Sequence, residues 1–303
     1  MRELLGLMVN FAVVFAPVVA IAQVADERAT EKAAPKQKPW MQYCSLSLSE
    51  YRLALTADPN VSFELAKQPA FVHVDEVDAS RELGLLYVWT DKRGRSIAAI
   101  TSVLMTWSNG KAWSELHEYH SLCDEPLEMI RDGRKIWTPP GPGLDWKEVP
   151  KGPKPAENKV QRQLQAKAIA RRFKARGESR AGKLWDFRLL PRPVHSYDDE
   201  EGNGKLASGS LFIFCRGTDP EVLIKLELRP SSTGEPRWHY GIANFTNMVS
   251  SVSYDGVDVW VDDPAAAPSK PHGSHFPSKN FDFKSRLEAM LTEPDTTNRS
   301  TSK

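Results

Sequence analysis

Residues 114 to 122 read SELHEYHSL, with Glu115, His117, Glu118 and His120 inside six positions. Side chains of these types can hold a metal ion or move protons. A zinc protease motif, H-E-x-x-H, puts two histidines four apart on one helix face, with the glutamate as base. Here the histidines are three apart. The stretch follows the turn SNG at 108–110, so a strand is predicted. Residues three apart on a strand point to opposite faces. His117 and His120 therefore cannot share an ion, which leaves Glu118 with His120, or Glu115 with His117, as same-face pairs. Two ligands are too few for zinc, which takes three or four, so no metal and no cofactor are expected. The catalytic candidates are His117, Glu118 and His120. A hydrolase or metal-assisted enzyme would use Glu118 and His120 with His73 or His195. Cys123 lies near His120, but no nucleophile elbow surrounds it. G-x-S-x-G, the P-loop and G-x-G-x-x-G are absent.

Two other groups of residues could bind rather than react. The chain has nine tryptophans. Core packing accounts for them first; an aromatic sugar-binding face is the sharper reading, with Trp113, Tyr119 and Trp238 as the ligand-binding candidates. The segment 157–178 carries Lys159, Arg162, Lys167, Arg171, Arg172, Lys174 and Arg176, with Glu157 and Glu178 near its ends. A solvated helix face is the simplest account. An anionic envelope polymer or a lipid headgroup is the partner that the stretch 159–176 would suit.

The elements that position these residues follow from periodicity. LLYVWT (85–90) and SLFIFC (210–215) are continuous apolar runs, expected of strands covered on both faces. VLIKLELR (222–229) alternates, with Val222, Ile224, Leu226 and Leu228 on one face and Lys225, Glu227 and Arg229 mostly on the other. NKVQRQLQAKAIARRFKARG predicts a helix up to Gly177, with Val160, Leu164, Ile169 and Phe173 as its apolar stripe. SLSEYRLALTA (47–57) has a mixed period that does not distinguish helix from strand.

The chain also repeats itself. Phe63 and Phe187 are 124 apart, Thr90 and Cys215 are 125 apart, Trp113 and Trp238 are 125 apart, and Trp137 and Trp260 are 123 apart. Anchors in order at a near-constant offset indicate duplication. This alignment sets His117 against Ile242 and His120 against Phe245. The expected fold is α+β with mainly antiparallel sheet, two β-meanders joined by a Pro-rich segment and one basic amphipathic helix. Copy one spans about 63–140, the linker and helix 141–177, and copy two about 187–263, within one β-rich region from 40 to 263. Two units too small to be stable alone would pool their apolar faces.

Outside that region, residues 1–22 read as a signal peptide. Arg2 precedes an apolar run, and Ala20-Ile21-Ala22 forms an A-x-A site for cleavage before Gln23. An uncleaved N-terminus would be the route to membrane contact, since no later run is long and apolar enough for a span. Residues 23–39 read as a disordered spacer, 264–280 as a Pro-rich linker, and 281–303 as a short helix and tail. The chain of 303 residues is 41% hydrophobic and 26% charged, with formal net charge +1. That balance gives no reason to expect nucleic acid. Three cysteines, Cys44, Cys123 and Cys215, leave the pairing of Cys44 with Cys123 open in an oxidising compartment. Cys215, inside an apolar run, reads as a buried thiol.

HEYHSL, WTPPGPGLDWKEVP, RLLPRPVHSY, FCRGTDPEVLIKLELR and WHYGIANFT resemble stretches of an uncharacterised family of exported bacterial proteins, over roughly residues 60–262. The resemblance implies export and a shared fold, and supplies no catalytic residues. The function expected is a non-catalytic binding or scaffold protein of the periplasm or cell envelope. The enzyme above, and a carrier of an apolar ligand between curved sheets, are the alternatives.

Overall fold

The computed structural model describes residues 39–75, 82–107, 112–200, 206–246, 248–262 and 275–280. The signal peptide expected over 1–22, most of the spacer expected over 23–39 and the C-terminal helix expected from 281 lie outside them. In chain order the elements are α1 (Pro39–Ser49), β1 (Arg52–Leu55), β2 (Ser62–Leu65), β3 (Phe71–Asp75), β4 (Glu82–Thr90), β5 (Ser96–Trp107), β6 (Ala112–Ser121), β7 (Leu127–Arg131), β8 (Arg134–Trp137) and β9 (Lys147–Glu148). They continue with α2 (Lys159–Ala170), β10 (Phe173–Glu178), β11 (Leu184–Leu189), β12 (His195–Glu200), β13 (Leu206–Arg216), β14 (Asp219–Pro230), β15 (Pro236–Asn244), β16 (Val249–Tyr254), β17 (Val257–Asp262) and β18 (His275–Asn280). The fold is α+β and mainly antiparallel.

The strands form two nine-stranded sheets, ordered β18-β6-β5-β4-β2-β1-β7-β8 with β3 on β4, and β17-β16-β10-β11-β13-β14-β15-β9 with β12 on β13. The orders are equivalent strand for strand: helix, then eight strands, twice. Shared irregularities support the equivalence. Bulges fall at Trp89/Thr90 and Phe214/Cys215, and at Met129/Ile130 and Val252/Ser253. Both β7–β8 and β16–β17 turn on Asp-Gly with both residues at positive φ (50° and 71°; 50° and 81°), the backbone that two-residue hairpins favour.

The repeat thus begins at the helices, near 39 and 159, and not near 63 and 187 as similarity alone suggested. The segment after each copy crosses over. β9, which follows copy one, pairs with β15 of copy two; β18, which follows copy two, pairs with β6 of copy one. Residues 275–280 are therefore a strand and not part of a linker.

Packing makes four layers. On β4, Leu85, Tyr87 and Trp89 pack with Tyr43, Cys44 and Leu48 of α1, while Leu86 and Val88 face the other way. On β13 and β14, Phe212, Phe214, Val222, Ile224, Leu226 and Leu228 pack with Ala166, Ile169 and Ala170 of α2. Leu211, Ile213, Cys215 and Leu223 turn to the opposite face and meet Leu86, Val88 and Ala99. Each sheet thus covers its own helix, and the two sheets stack between the helices. Lys225 and Glu227 lie on the inter-sheet face. Lys225 Nζ donates to the carbonyls of Ser96 (2.8 Å) and Leu122 (3.1 Å), so copy two's lysine ties the start of β5 to the residue after β6 in copy one.

α2 departs from expectation. It ends at Ala170, and Phe173–Glu178 is strand β10, alternating buried and exposed. The side it buries carries Arg162, Ala166, Ile169 and Ala170, whereas Val160 and Leu164 are exposed. Arg162 is buried because Asp198 of β12 receives it at 2.9 and 2.6 Å, and the carbonyls of Ala156 and Glu157 accept its remaining protons. Asn158 caps the helix, accepting from Gln161 N at 2.9 Å. Gly177 is a mid-strand residue, where a Cβ would lie 2.5 Å from Phe187 Cζ.

Candidate ligand-binding site

SELHEYHSL is β6, and its alternation divides the four polar residues between two faces. Glu115, His117 and Tyr119 point to the α1 side; Leu116, Glu118 and His120 point towards sheet two. Glu115 and His117 are both buried and bonded, His117 Nε2 donating to Glu115 Oε1 at 2.7 Å. Glu115 also accepts from Tyr43 OH (3.0 Å) and Ser102 Oγ (3.2 Å). His117 Nδ1 lies 2.6 Å from Tyr51 OH, which accepts from Arg131 at 2.8 Å. Arg131 reaches Glu50 at 2.6 Å near the surface. A hydrogen-bonded line thus runs from the core outwards. Burial drives the Glu115 carboxyl up, but the bond and charge of His117, with Tyr43 and Ser102, outweigh it and hold it down at about 2.

The register shows what this line replaces. Pairing of β5 with β6 and of β14 with β15 sets Glu115 opposite Trp238 in the repeat, His117 opposite Tyr240, and Tyr119 opposite Ile242. The offset in this hairpin is 123 (115 to 238), two less than matching Trp113 to Trp238 implied. Tyr51 corresponds to Phe173 and Arg131 to Tyr254. Copy two therefore fills with Trp238, Tyr240, Phe173 and Tyr254 the place that copy one fills with acid, base and cation. Phe173 meets Tyr240 edge-on at 5.1 Å, as Tyr51 meets His117 at 5.5 Å.

On the other face Glu118 accepts from Thr101 at 3.3 Å and lines a pocket of about 240 Å³ with Leu116, Trp185, Arg216, Glu221 and Phe245. Arg216 is held by Glu221 at 2.9 Å. His120 does not line that pocket. Its ring lies 5.9 Å from that of Phe245, its Nδ1 bonds the Ser121 carbonyl at 2.8 Å, and burial pushes it down to about 4.

The proposed histidine partners sit elsewhere. His195 bonds the Gly94 carbonyl at 2.8 Å. His73 stacks on Phe71 and covers Gly84, where a Cβ would collide with its ring; its Nδ1 is 3.7 Å from Asp219. Among the described residues no three His, Cys, Asp or Glu side chains are grouped to hold a metal ion. Tyr119 and Trp238 are core residues and line neither the pocket at Glu118 nor the one at the end of α2; Trp238 Nε1 donates to Gln165 at 3.3 Å. The side chain of Trp113 lies outside the described set. Cys44, Cys123 and Cys215 are buried free thiols, and Cys44 and Cys123 are not joined.

The larger opening is at the C-terminal end of α2, a pocket of about 550 Å³, within the range of small-molecule sites. Phe187, Leu189, Phe212 and Phe214 supply its apolar lining, and Lys167, Arg171 and Lys174 its cations, against one carboxylate, Asp186. Among the described residues none of the three cations has a carboxylate partner. β11 pairs with β13 at Arg188↔Cys215 and Leu189↔Phe214, and Leu190 N and Val194 N bond the carbonyls of Ile213 and Leu211 on either side of Pro191.

At the corresponding positions copy one carries the larger Tyr87 and Trp89 for Phe212 and Phe214, and Ser45 for Lys167. Ser45 Oγ and Tyr87 OH lie within 2.6 Å of each other. Smaller rings thus accompany the opening in copy two. The sequence signalled the cations, as the basic stretch 159–176 with acids only near its ends, at Glu157 and Glu178. It did not signal the phenylalanines, which read as core. No protein-family model, no curated protein and no solved structure matches the chain.

Proposed function

We propose that this chain is an exported, non-catalytic binding protein that holds a single-chain amphipathic anion, an acyl carboxylate or phosphate, in the pocket beside α2. The observation that carries this is the pocket's division into an apolar, phenylalanine-lined side and three cations that have no carboxylate partner among the described residues. Apolar walls take an alkyl chain for the gain of removing it from water, and cations at the opening take the charged head. The apolar run ending in Ala20-Ile21-Ala22 supports export. No helix among the described residues is long and apolar enough to cross a membrane.

The test is calorimetric titration with monomeric dodecyl phosphate. Saturable one-to-one binding is expected. Replacing Lys167, Arg171 and Lys174 together by alanine should weaken it by about tenfold or more, at several tenths to 1 kcal/mol for each exposed charge contact. Binding that is absent, or equally strong for dodecanol, would sink the proposal.

A further inference from the structure

α2 has a second face that no element among the described residues covers. Val160 and Leu164 are 65% and 61% exposed. With Lys167 and Arg171 they fall at i, i+4, i+7 and i+11, one ridge of the helix, opposite the buried Arg162, Ala166 and Ile169. The helix KVQRQLQAKAIA contains no acidic residue. Exposed Lys151 and Lys154 precede it, and exposed Lys174 and Arg176 follow on β10. The ridge ends where Lys167 and Arg171 line the pocket.

An apolar pair standing out from a helix, inside a field of cations, is the composition that lies in the headgroup region of an anionic bilayer: the apolar tips enter the acyl boundary and the basic residues meet lipid phosphates. A protein partner would need an acidic surface with an apolar centre. The basic residues here spread over the approach loop, the helix and β10, which suits an extended charged plane better than a discrete patch.

We infer that the outer ridge of α2 docks this protein on an anionic lipid surface, with Val160 and Leu164 inserted and the pocket's cations held at headgroup level. The surface shares Lys167 and Arg171 with the pocket, but Val160 and Leu164 belong to it alone, and it goes beyond ligand binding in the pocket.

Vesicle co-sedimentation tests it, with protein from Gln23 onward, which keeps every described residue. Vesicles of equal phosphatidylglycerol and phosphatidylcholine should bind the protein at least tenfold more tightly than phosphatidylcholine alone. Val160→Ser with Leu164→Ser should lower binding to the anionic vesicles about tenfold, while dodecyl phosphate binding in solution stays within twofold. Both residues are exposed, so this variant should melt as the parent does. Leu189→Trp, an enlargement at a half-buried residue of the pocket wall, should weaken dodecyl phosphate binding at least tenfold and keep vesicle binding. Vesicle binding without any dodecyl phosphate binding in the parent would support docking and remove the pocket reading. Parent protein that ignores anionic vesicles, or a double variant that binds them as tightly as the parent, would overturn the docking surface.

Discussion

Glu115 and His117 hold the positions that Trp238 and Tyr240 hold in the second half, on the same backbone. The fold itself therefore does not demand a buried acid and base, and the cost of desolvating them is offset only while their partners remain. Glu115→Ala would remove the carboxylate to which His117 and Tyr43 donate and should cost about 3–5 kcal/mol in urea unfolding. Glu115→Leu with His117→Phe removes both partners and should cost less than that single change.

The same residues set an acid dependence. Glu115 sits at about 2 when folded against 4.5 unfolded, so the unfolded chain takes up its proton first. Its contribution, up to about 3 kcal/mol, is complete above pH 4.5 and lost as pH falls towards 2. His73 and His120 are held near 4 against 6.5 by burial; again the unfolded chain protonates first, so stability should fall between pH 6.5 and 4. His73→Phe should flatten that upper leg in denaturant melts at pH 7 and pH 5. An unchanged slope would contradict the burial of a neutral His73. The Glu115–His117 pairing was legible from alternation, because faces follow from parity. Its true counterpart in the repeat was not, because a two-residue slip preserves every face.

Single elements were legible where one period held throughout. VLIKLELR is a strand with the expected face, and the runs at 85–90 and 210–215 are strands covered on both sides. The segment 159–177 held two periods in succession. Helical spacing runs to Ala170, after which Phe173, Ala175 and Gly177 alternate with Lys174, Arg176 and Glu178. Reading one helix through both pointed the apolar stripe at Val160 and Leu164, whereas small Ala166 and Ala170 let the helix approach the sheet. The orientation is testable by mutation. Leu164→Lys should change stability by no more than about 0.5 kcal/mol, the ordinary effect at a surface site. Ile169→Ala should cost about 2–5 kcal/mol, the usual result of a core truncation.

At the scale of the molecule, duplication could be seen in the sequence, but the crossing of β9 and β18 could not. Strand partners distant in the chain leave no local pattern, and the short β9 and the proline in β18 argue against strands at all. The crossing predicts mutual dependence. A chain ending at Asp262 lacks β18 and exposes the outer edge of β6. Its β6 amides should exchange with solvent faster, and the protein should self-associate through that edge. Unchanged exchange at residues 115–120 would show that β18 contributes nothing there.

The division of labour that follows is one polar-cored half and one half with an open, cation-lined pocket. The most direct test is anomalous diffraction from crystals grown with 12-bromododecanoate. The account expects a bromine peak among Phe187, Phe212 and Phe214, with the carboxylate beside Lys167, Arg171 or Lys174. A pocket without a bromine peak in crystals that hold the ligand elsewhere, or a chain lying with its head inward, would contradict it.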